Sequence, residues 1–114
     1  MKMIIAYIQP FMLDKVADAL REKRIHGMTV LESKGFGYQT KEGLPHHLDE
    51  EVRVDFVPKR KIEIVCQDTE VDDIVRIICE NAHTGRQGDG KIFVADVQKA
   101  VSIRTGKSGE LDVI

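Results

Sequence analysis

The segment Thr84-Gly-Arg-Gln-Gly-Asp-Gly-Lys91 has the residue types of an anion-binding loop. Gly88 and Gly90 can adopt positive φ angles, so successive backbone N–H groups can converge on one anion. Arg86 and Lys91 would add positive charge at the mouth of such a loop. The segment is not a Walker A loop, which needs Gly-Lys-Ser/Thr at the start of a helix, because it precedes an apolar strand. An ordinary tight turn between a helix and a strand is the alternative interpretation.

A second segment, Lys34-Gly-Phe-Gly-Tyr38, is similar to the start of the first signature of the RNA-recognition motif. Tyr7, on the first predicted strand, could act as the partner aromatic. However, Lys41 stands at the final aromatic position of that signature, and the segment ends the second strand instead of forming the third. The net charge of −2 also argues against a protein that binds a phosphate backbone. The sequence therefore argues against nucleic-acid binding.

A third cluster, His46-His47 followed by Asp49-Glu-Glu51, offers imidazole and carboxylate ligands for a transition metal. Adjacent histidine side chains point in different directions unless the backbone bends. Solvated loop residues are therefore the alternative interpretation of this cluster.

An enzyme active site is not evident from the residue pattern. The sequence has no assignable Ser–His–Asp set, HExxH motif or carboxylate pair. Acylphosphatases use an arginine in the loop after the first strand, where this chain has Gln9-Pro-Phe11. The sequence therefore predicts a protein that is not an enzyme.

Length and composition limit the architecture. With 114 residues, 42% hydrophobic and 32% charged, the chain is expected to form one globular domain over residues 1–114. A domain of this size has no room for an enclosed deep cleft, so a sizeable ligand site is expected on the surface or between subunits. The two cysteines, Cys66 and Cys79, are predicted to be small core residues with reduced thiols. No apolar stretch approaches a membrane span, and a cytoplasmic location without membrane insertion is expected.

The elements that must position these residues follow from the spacing of apolar side chains. Strands are predicted at Met3–Ile8, Met28–Ser33, Lys61–Cys66 and Lys91–Val97, with a last short strand at Ala100–Arg104. Val52–Phe56 is either a separate strand or part of one long strand broken at Pro58. The spacing predicts one amphipathic helix over Met12–Arg24, ended by Gly27, and a second that begins near Val71.

The halves of the chain resemble each other, since Leu13-Asp-Lys-Val-Ala-Asp-Ala-Leu20 aligns with Val71-Asp-Asp-Ile-Val-Arg-Ile-Ile78. A β-α-β, β-α-β order with this internal duplication predicts the α+β ferredoxin-like fold, an antiparallel sheet with helices on one face. The segment Lys34–Glu51 has no apolar period, and loops of this length are usually functional or disordered. The segment 105–114 is predicted to be a mobile tail.

Several motifs, in register along essentially the whole chain, resemble the P-II nitrogen regulatory proteins. They are Tyr7-Ile-Gln-Pro-Phe-Met-Leu-Asp14, Gly27-Met-Thr-Val30, Lys34-Gly-Phe-Gly-Tyr-Gln39, Val54-Asp-Phe-Val-Pro-Lys59, Lys61-Ile-Glu-Ile-Val65, Thr84 to Val97 and Ile103-Arg-Thr-Gly106. The run Gly88-Asp-Gly-Lys-Ile-Phe93 is the most specific of them. The resemblance implies a homotrimeric signalling protein with ATP or ADP sites in the clefts between subunits.

The resemblance also implies roles for individual residues. Thr29, Gly37 and Val65 would surround the adenine and ribose, and Lys59 would pair with a carboxylate of 2-oxoglutarate. Gln39 would help to coordinate Mg²⁺ when ATP and 2-oxoglutarate are bound. The remaining implied ligand residues, mostly around the phosphates, are Gly35, Phe36, Gly88, Asp89, Gly90, Lys91, Ser102 and Arg104.

Tyr38–Val52 corresponds to the long, mobile loop with which the family docks onto a transporter, enzyme or transcription factor. This chain departs from the family pattern there, because the loop is one residue longer and has no tyrosine after Tyr38 and no serine. His46-His-Leu48 stand where the family carries an arginine near the loop tip, and Ser102 replaces an arginine that contacts phosphate. The alternative function is a P-II-like trimer that responds to a metal through His46 and His47.

Overall fold

The structure is a computed structural model that describes residues 1–25, 27–37 and 56–109. The elements of these residues, in chain order, are β1 (Lys2–Ile8), α1 (Leu13–Glu22), β2 (Thr29–Gly35), β3 (Val57–Cys66), α2 (Val71–Ala82) and β4 (Gly90–Asp96). Short 3-10 turns at Pro10–Met12 and Asp68–Glu70 lead into the helices. This order confirms the predicted βαββαβ arrangement.

The strands of the described residues form one four-stranded antiparallel sheet in the order β2-β3-β1-β4. β1 pairs with β3 from Lys2↔Cys66 to Ile8↔Arg60, and with β4 from Lys2↔Asp96 to Ile8↔Gly90. The last residue of β1 therefore lies between the first residue of β4 and the early part of β3. This border of the sheet is called the strand-end edge below. The topology confirms the predicted ferredoxin-like fold.

The core lies between one face of the sheet and the two helices of the described residues. Side chains alternate between the faces of a strand, so every second residue of β1 and β3 points to the helices. The buried strand residues are Ile4, Ala6, Ile8, Ile62, Ile64 and Cys66, and the buried helix residues are Val16, Ala17, Leu20, Ile74, Ile77, Ile78 and Ala82. Each fully buried aliphatic side chain of this size contributes about 1.5–3 kcal/mol. The predicted helix stripes are thus confirmed as core.

The opposite side of the sheet, called the open face below, has no helix against it among the described residues. Met3, Ile5 and Tyr7 of β1 project to this side, since they alternate with the buried residues of the same strand. Their cross-strand partners share the face, and they are Val65, Glu63 and Lys61 of β3 and Ala95, Phe93 and Lys91 of β4. Several apolar side chains on this face are exposed, among them Leu31, Val57 and Phe93.

β3 runs without interruption through Pro58, so the interpretation of a strand broken there is wrong. Pro58 lacks an N–H and is tolerated only where one side of a strand needs no ladder hydrogen bond. In the described residues, Pro58 is opposite Lys34 of β2, whereas pairing with β1 begins only at Arg60. The stretch Val52–Asp55 lies outside the described residues.

The first helix ends earlier than the sequence predicts. Arg24, and not Gly27, takes the left-handed conformation, with φ of 60°. The Arg24 N–H donates to the Arg21 carbonyl at 2.9 Å, and the Ile25 N–H donates to the Leu20 carbonyl at 3.1 Å. These bonds satisfy carbonyl groups that the helix end would otherwise leave unpaired, so the chain has already turned before it reaches Gly27.

The prediction of a last strand at Ala100–Arg104 is wrong. Val101 forms an isolated bridge with Ser108, and the residues between them form a turn. The turn is closed by the Gly106 N–H, which donates to the Ser102 carbonyl at 2.8 Å, and by the Ser102 N–H, which donates to the Lys107 carbonyl at 3.0 Å. Part of the predicted tail 105–114 belongs to this turn, and residues 110–114 lie outside the described part of the chain.

The cysteines differ in their surroundings. Cys66 is 1% exposed, as predicted, and burial raises the pKa of its thiol. The prediction that Cys79 is a core residue is wrong, because its side chain is exposed on α2. It borders an open cavity of about 440 Å³ between α2 and β4. The helix stripe of Ile74 and Ile78 faces the sheet, and Cys79, one position further round the helix, falls outside it.

Neither helix in the described part of the chain combines the length and the apolarity that crossing a membrane requires.

Candidate functional site

Three segments converge at the strand-end edge on a single backbone carbonyl. The side-chain amide of Gln9, directly after β1, donates from Nε2 to the Gly88 carbonyl oxygen at 2.7 Å. Lys59 of β3 donates to the same oxygen from Nζ. A carbonyl oxygen has two lone pairs, so these two donors fill both. The segment that precedes β4 is thereby attached to the two central strands of the sheet.

That segment, His83–Gly90, is called the glycine loop. Gly85, Gly88 and Gly90 have φ angles of 86°, 93° and 118°. The predicted positive φ at Gly88 and Gly90 is confirmed. At Gly90 no side chain could fit, because a Cβ atom there would lie 1.7 Å from the Tyr7 carbonyl oxygen. Glycine is thus required for β4 to start against β1.

The carboxylate of Asp89 organises the inside of the glycine loop. It accepts hydrogen bonds from the Thr84 N–H at 2.8 Å, from the Gly85 N–H at 3.0 Å and from the Thr84 hydroxyl. The Thr84 hydroxyl oxygen in turn accepts from the Arg86 N–H at 3.2 Å. These bonds, the Thr84 hydroxyl first, hold the pKa of the Asp89 carboxyl below its ordinary value. The loop therefore already directs two N–H groups at an anion of its own chain.

The positive charge of the glycine loop comes from side chains. Arg86 and Lys91 are exposed, and in the described residues neither forms an ion pair. The helix that precedes the loop ends at Ala82, and a helix C-terminus carries partial negative charge. His83 lies with its Nδ1 3.6 Å from Asp89 Oδ2, which gives an ionic contact only when the imidazole is protonated. The cations available to an anion at this loop are thus Arg86 and Lys91, together with the Lys59 ammonium group that donates to Gly88.

The predicted ligand residues that belong to strands share the open face. They are Thr29, Gly35, Lys59, Val65 and Lys91. The register shows this directly, since Lys91 is opposite Tyr7 and Val65 is opposite Met3. Residues directly opposite one another in a sheet lie on the same face. The structure therefore brings these residues to one surface, away from the helices.

The root of the long loop is marked by an aromatic pair. Phe36, just after β2, and Phe56, just before β3, pack edge to face with ring centroids 5.2 Å apart. Both rings are more than half exposed. Phe36 and the neighbouring Gly37, both predicted ligand residues, thus lie where β2 ends and β3 begins. This pair is the last described contact before the segment 38–55.

Ser102 and Arg104 are two further predicted ligand residues. Both belong to the turn that follows β4, and the Ser102 hydroxyl oxygen accepts from the Thr105 N–H at 3.4 Å. Arg104 is exposed. Among the described residues, no hydrogen bond or ion pair joins either residue to residues 83–91. Within the described residues of one chain, Arg104 is thus not tied to the glycine loop by a direct polar contact.

Three further predicted residues, Gln39, His46 and His47, lie outside the described residues, as does the whole loop 38–52. The structure thus gives no test of a metal site in that loop. Within residues 1–25, 27–37 and 56–109, no group of three or more His, Cys, Asp or Glu side chains is arranged to hold a metal ion.

Gln9 and Thr84 are the residues whose contacts sequence reasoning missed. The contact of Thr84 with Asp89 could have been predicted. A hydroxyl residue five positions before an aspartate in a glycine-rich loop is suited to local hydrogen bonding. Gln9 gives a weaker signal, namely a polar residue at the end of an apolar strand. Its partner lies 79 positions away along the chain and is set by the register of β1 and β4.

Comparison with known proteins gives one family. The family model for nitrogen regulatory protein P-II matches residues 1–107. A nitrogen regulatory protein P-II of Azospirillum brasilense is 51% identical over 109 residues, 96% of each chain. The protein of that name from Bradyrhizobium diazoefficiens is 51% identical over 114 residues, the whole of both chains. Nitrogen regulatory protein P-II 1 of Escherichia coli K12 is 52% identical over 110 residues, 96% of this chain and 97% of that one.

Proposed function

The chain belongs to the P-II family of nitrogen regulatory proteins, and we propose that it is a non-enzymatic regulator that binds ATP or ADP between subunits. Family membership supports the regulatory role in signal transduction. Through the loop 38–52, the protein would control a transporter, an enzyme or a transcription factor of nitrogen or carbon metabolism. The observation that carries the proposal is that Thr29, Lys59, Val65 and Lys91 share the open face beside the glycine loop.

The glycine loop is proposed to hold the phosphates. Gly88, Gly90 and Lys91 lie where the loop meets the sheet, and the attachment of Gly88 to Gln9 and Lys59 gives that part of the backbone a defined position. Asp89 would act by shaping the loop, because its carboxylate oxygens already accept hydrogen bonds from Thr84 and Gly85. A carboxylate that touched a phosphate directly would repel it.

The adenine and ribose are proposed to lie against the open face. Thr29 is opposite Glu63 on β3, and Val65 is the next residue of β3 on the same side of the sheet. These two side chains are therefore diagonal neighbours on one surface. Gly35, Phe36 and Gly37 follow at the far end of β2. A planar base with its sugar needs such an extended surface more than a deep pocket, which a domain of this size does not offer.

A second copy of the chain is proposed to complete the site, in a homotrimer. Leu31, Val57 and Phe93 on the open face are 40%, 42% and 52% exposed. Exposed apolar side chains spread over one face favour contact with another protein surface. Arg104 forms no hydrogen bond or ion pair with the glycine loop of its own chain in the described residues. In this trimer the Arg104 turn of one subunit would lie beside the glycine loop of the next, and closed symmetry would repeat that contact at every interface.

Mg²⁺ and 2-oxoglutarate are the other proposed ligands. Gln39 would supply an amide oxygen for Mg²⁺, and Lys59 would pair with a carboxylate of 2-oxoglutarate. In the structure the Lys59 ammonium group donates to a neutral carbonyl. A carboxylate is a stronger acceptor than a carbonyl for a charged donor. Lys59 would therefore leave the Gly88 carbonyl for a carboxylate of 2-oxoglutarate.

The test is calorimetric titration of ATP and ADP into the protein and its Arg104→Ala variant. A hydrogen bond to a charged group contributes about 1.5–3 kcal/mol, so Arg104→Ala is expected to weaken ATP binding by about ten- to a hundredfold. The control is Arg76→Ala, which removes an arginine of α2 that pairs with Asp73 at 3.4 Å and Glu80 at 3.5 Å. Absence of heat with either nucleotide would refute the proposal, and unchanged affinity in Arg104→Ala would remove Arg104 from the site.

A further inference from the structure

We infer that Gln9 is a positioning residue for the phosphate site: it holds the Gly88 carbonyl and keeps the glycine loop formed when an anionic ligand draws Lys59 away. The ligand part of this inference rests on the proposed function. The positioning role of Gln9 rests on contacts within the chain itself, and no motif of the sequence gives Gln9 a role.

The first support is that the two donors to Gly88 differ in the length and flexibility of their side chains. Gln9 lies between Ile8, which is 2% exposed, and Pro10, whose ring fixes the backbone φ of that residue. Its short side chain therefore starts from a backbone that is held on both sides. Lys59, which is partly buried like Gln9, reaches the same oxygen with a longer and more flexible side chain. Gln9 is the more fixed of the two attachments.

The second support is charge. An anionic ligand attracts the Lys59 ammonium group more strongly than the neutral amide of Gln9. When Lys59 turns to a carboxylate, the Gly88 carbonyl keeps the hydrogen bond from Gln9 Nε2 at 2.7 Å. Gly88, with φ of 93°, also has the wide backbone freedom of a glycine, so a hydrogen bond to its carbonyl restricts a residue that would otherwise have many conformations.

The third support is the geometry of the peptide between Gly88 and Asp89. In a planar trans peptide the C=O and the following N–H point in opposite directions. Because Gln9 fixes the direction of the Gly88 carbonyl, it also directs the Asp89 N–H away from Gln9 and Lys59. The same constraint holds the Asp89 backbone, from which the carboxylate reaches the N–H groups of Thr84 and Gly85. The direction of the Gly88 carbonyl is thus linked to the hydrogen bonds in the rest of the loop.

The experiment compares Gln9→Met, Lys59→Met, the double variant and the control Gln98→Met. Methionine matches the length of glutamine, is one atom shorter than lysine, and has no hydrogen-bond donor. Gln98 is an exposed glutamine beyond β4. Amide hydrogen exchange is measured at Thr84 and Gly85 without nucleotide, with the core amides of β1 and β3 as reference. In parallel, ADP affinity is measured by calorimetry.

Each single variant leaves one donor on Gly88, so exchange at Thr84 and Gly85 is expected to rise by no more than about fivefold. The double variant leaves none, and its exchange is expected to exceed the product of the single effects, with ADP affinity falling in parallel. In all variants the exchange of the core amides is expected to stay at the wild-type rate, and Gln98→Met is expected to leave the loop amides unchanged. A general loss of stability would instead raise exchange in the core as well.

Exchange in the double variant that equals the product of the singles, or loop amides that do not respond, would overturn the inference. Loop amides that respond as expected in a wild-type protein that binds neither ADP nor ATP would leave Gln9 as a positioning residue and refute the proposed function instead. Normal ADP binding in the double variant, together with unchanged exchange at the loop amides, would refute the role of Gln9 and leave the proposed function standing.

Discussion

Asp89 receives most of the hydrogen bonds inside the glycine loop, and its ionisation is therefore linked to the loop's shape. The Thr84 hydroxyl is the largest cause of the lowered pKa of Asp89, followed by the Thr84 N–H. A carboxyl whose pKa is lower in the folded than in the unfolded chain stabilises the fold above its unfolded pKa. This stabilisation is lost as the pH falls through the folded pKa. The loop is thus expected to loosen only in acid, below the ordinary titration range of aspartate.

The substitution Thr84→Val should raise the pKa of Asp89 towards its ordinary value, because it removes the hydroxyl donor while keeping the branched shape. Thr84→Ser keeps the hydroxyl and should leave the pKa low. The measurement is an NMR titration of the Asp89 carboxyl carbon in the three proteins. Identical titration midpoints would show that the hydroxyl contact does not determine the ionisation of Asp89.

Single residues also show where sequence reasoning reaches its limit. The positive φ angles of Gly88 and Gly90 were predictable, because glycine is the residue that adopts them at least cost. The contact between Gln9 and Gly88 was not predictable, because it depends on the pairing of β1 with β4 and not on any local pattern. The exposure of Cys79 was missed for a similar reason, since a residue at the border of a helix stripe is buried only if a neighbouring element covers it.

At the scale of elements, the end of α1 has an unusual feature, since a residue other than glycine occupies the left-handed position. The left-handed conformation costs an L-residue about 1–2 kcal/mol. Arg24 adopts it, with φ of 60°, where helices commonly place glycine. The strain is offset by the hydrogen bonds that close the helix end.

Arg24→Gly is therefore expected to stabilise the fold by about 0.5–1 kcal/mol, since the relief of strain exceeds the added entropy of the unfolded chain. Lys23→Gly is the matched control, because Lys23 has φ of −86° and gains nothing from glycine. It should destabilise by about 0.5–1 kcal/mol. Urea unfolding of both variants measures the difference. Destabilisation of similar size in both would mean that Arg24 is not strained.

Element prediction succeeded where burial sets a clear period. Apolar side chains alternate along β1 and β3 and recur with the helical period in both helices, because all four elements pack on one core. The positions of these elements were predicted to within a few residues. The prediction failed after β4. Val101-Ser-Ile103 alternates like a strand, but among the described residues its one pairing is the isolated bridge between Val101 and Ser108. Gly106, with φ of 69°, turns the chain back there. A short apolar alternation does not distinguish a strand from one arm of a tight turn.

At the scale of the whole molecule, the internal duplication was sufficient to predict the fold. Each β-α-β half covers the same side of the sheet with its helix, and interleaving the halves gives the observed order β2-β3-β1-β4. The proposed site was predictable only in part, because its residues would come from several strand ends and from the turn that carries Arg104. Spacing within one chain does not reveal which residues of a second chain would meet them.

Binding of 2-oxoglutarate is a prediction about the whole assembly. We expect it to bind only after Mg-ATP, because the metal offsets the repulsion between its carboxylates and the phosphates. Calorimetry with Mg²⁺ alone, with Mg-ADP and with Mg-ATP should give heat only in the last case. Lys59→Ala should abolish that heat, whereas Lys99→Ala, an exposed lysine beyond β4, should not. Equal binding without nucleotide, or no binding at all, would contradict the expectation.

The most direct test of a nucleotide site shared between subunits is complementation in mixed assemblies. Lys91→Ala damages the glycine-loop side of the proposed site, and Arg104→Ala damages the side supplied by the neighbouring chain. Each variant alone is expected to bind ATP only weakly. When the two are co-expressed in equal amounts and random assemblies form, about one quarter of the sites should combine an intact glycine loop with an intact Arg104. Calorimetry of the mixture should then show that fraction of sites at wild-type affinity, whereas a mixture with only weak sites would contradict a site built from two chains.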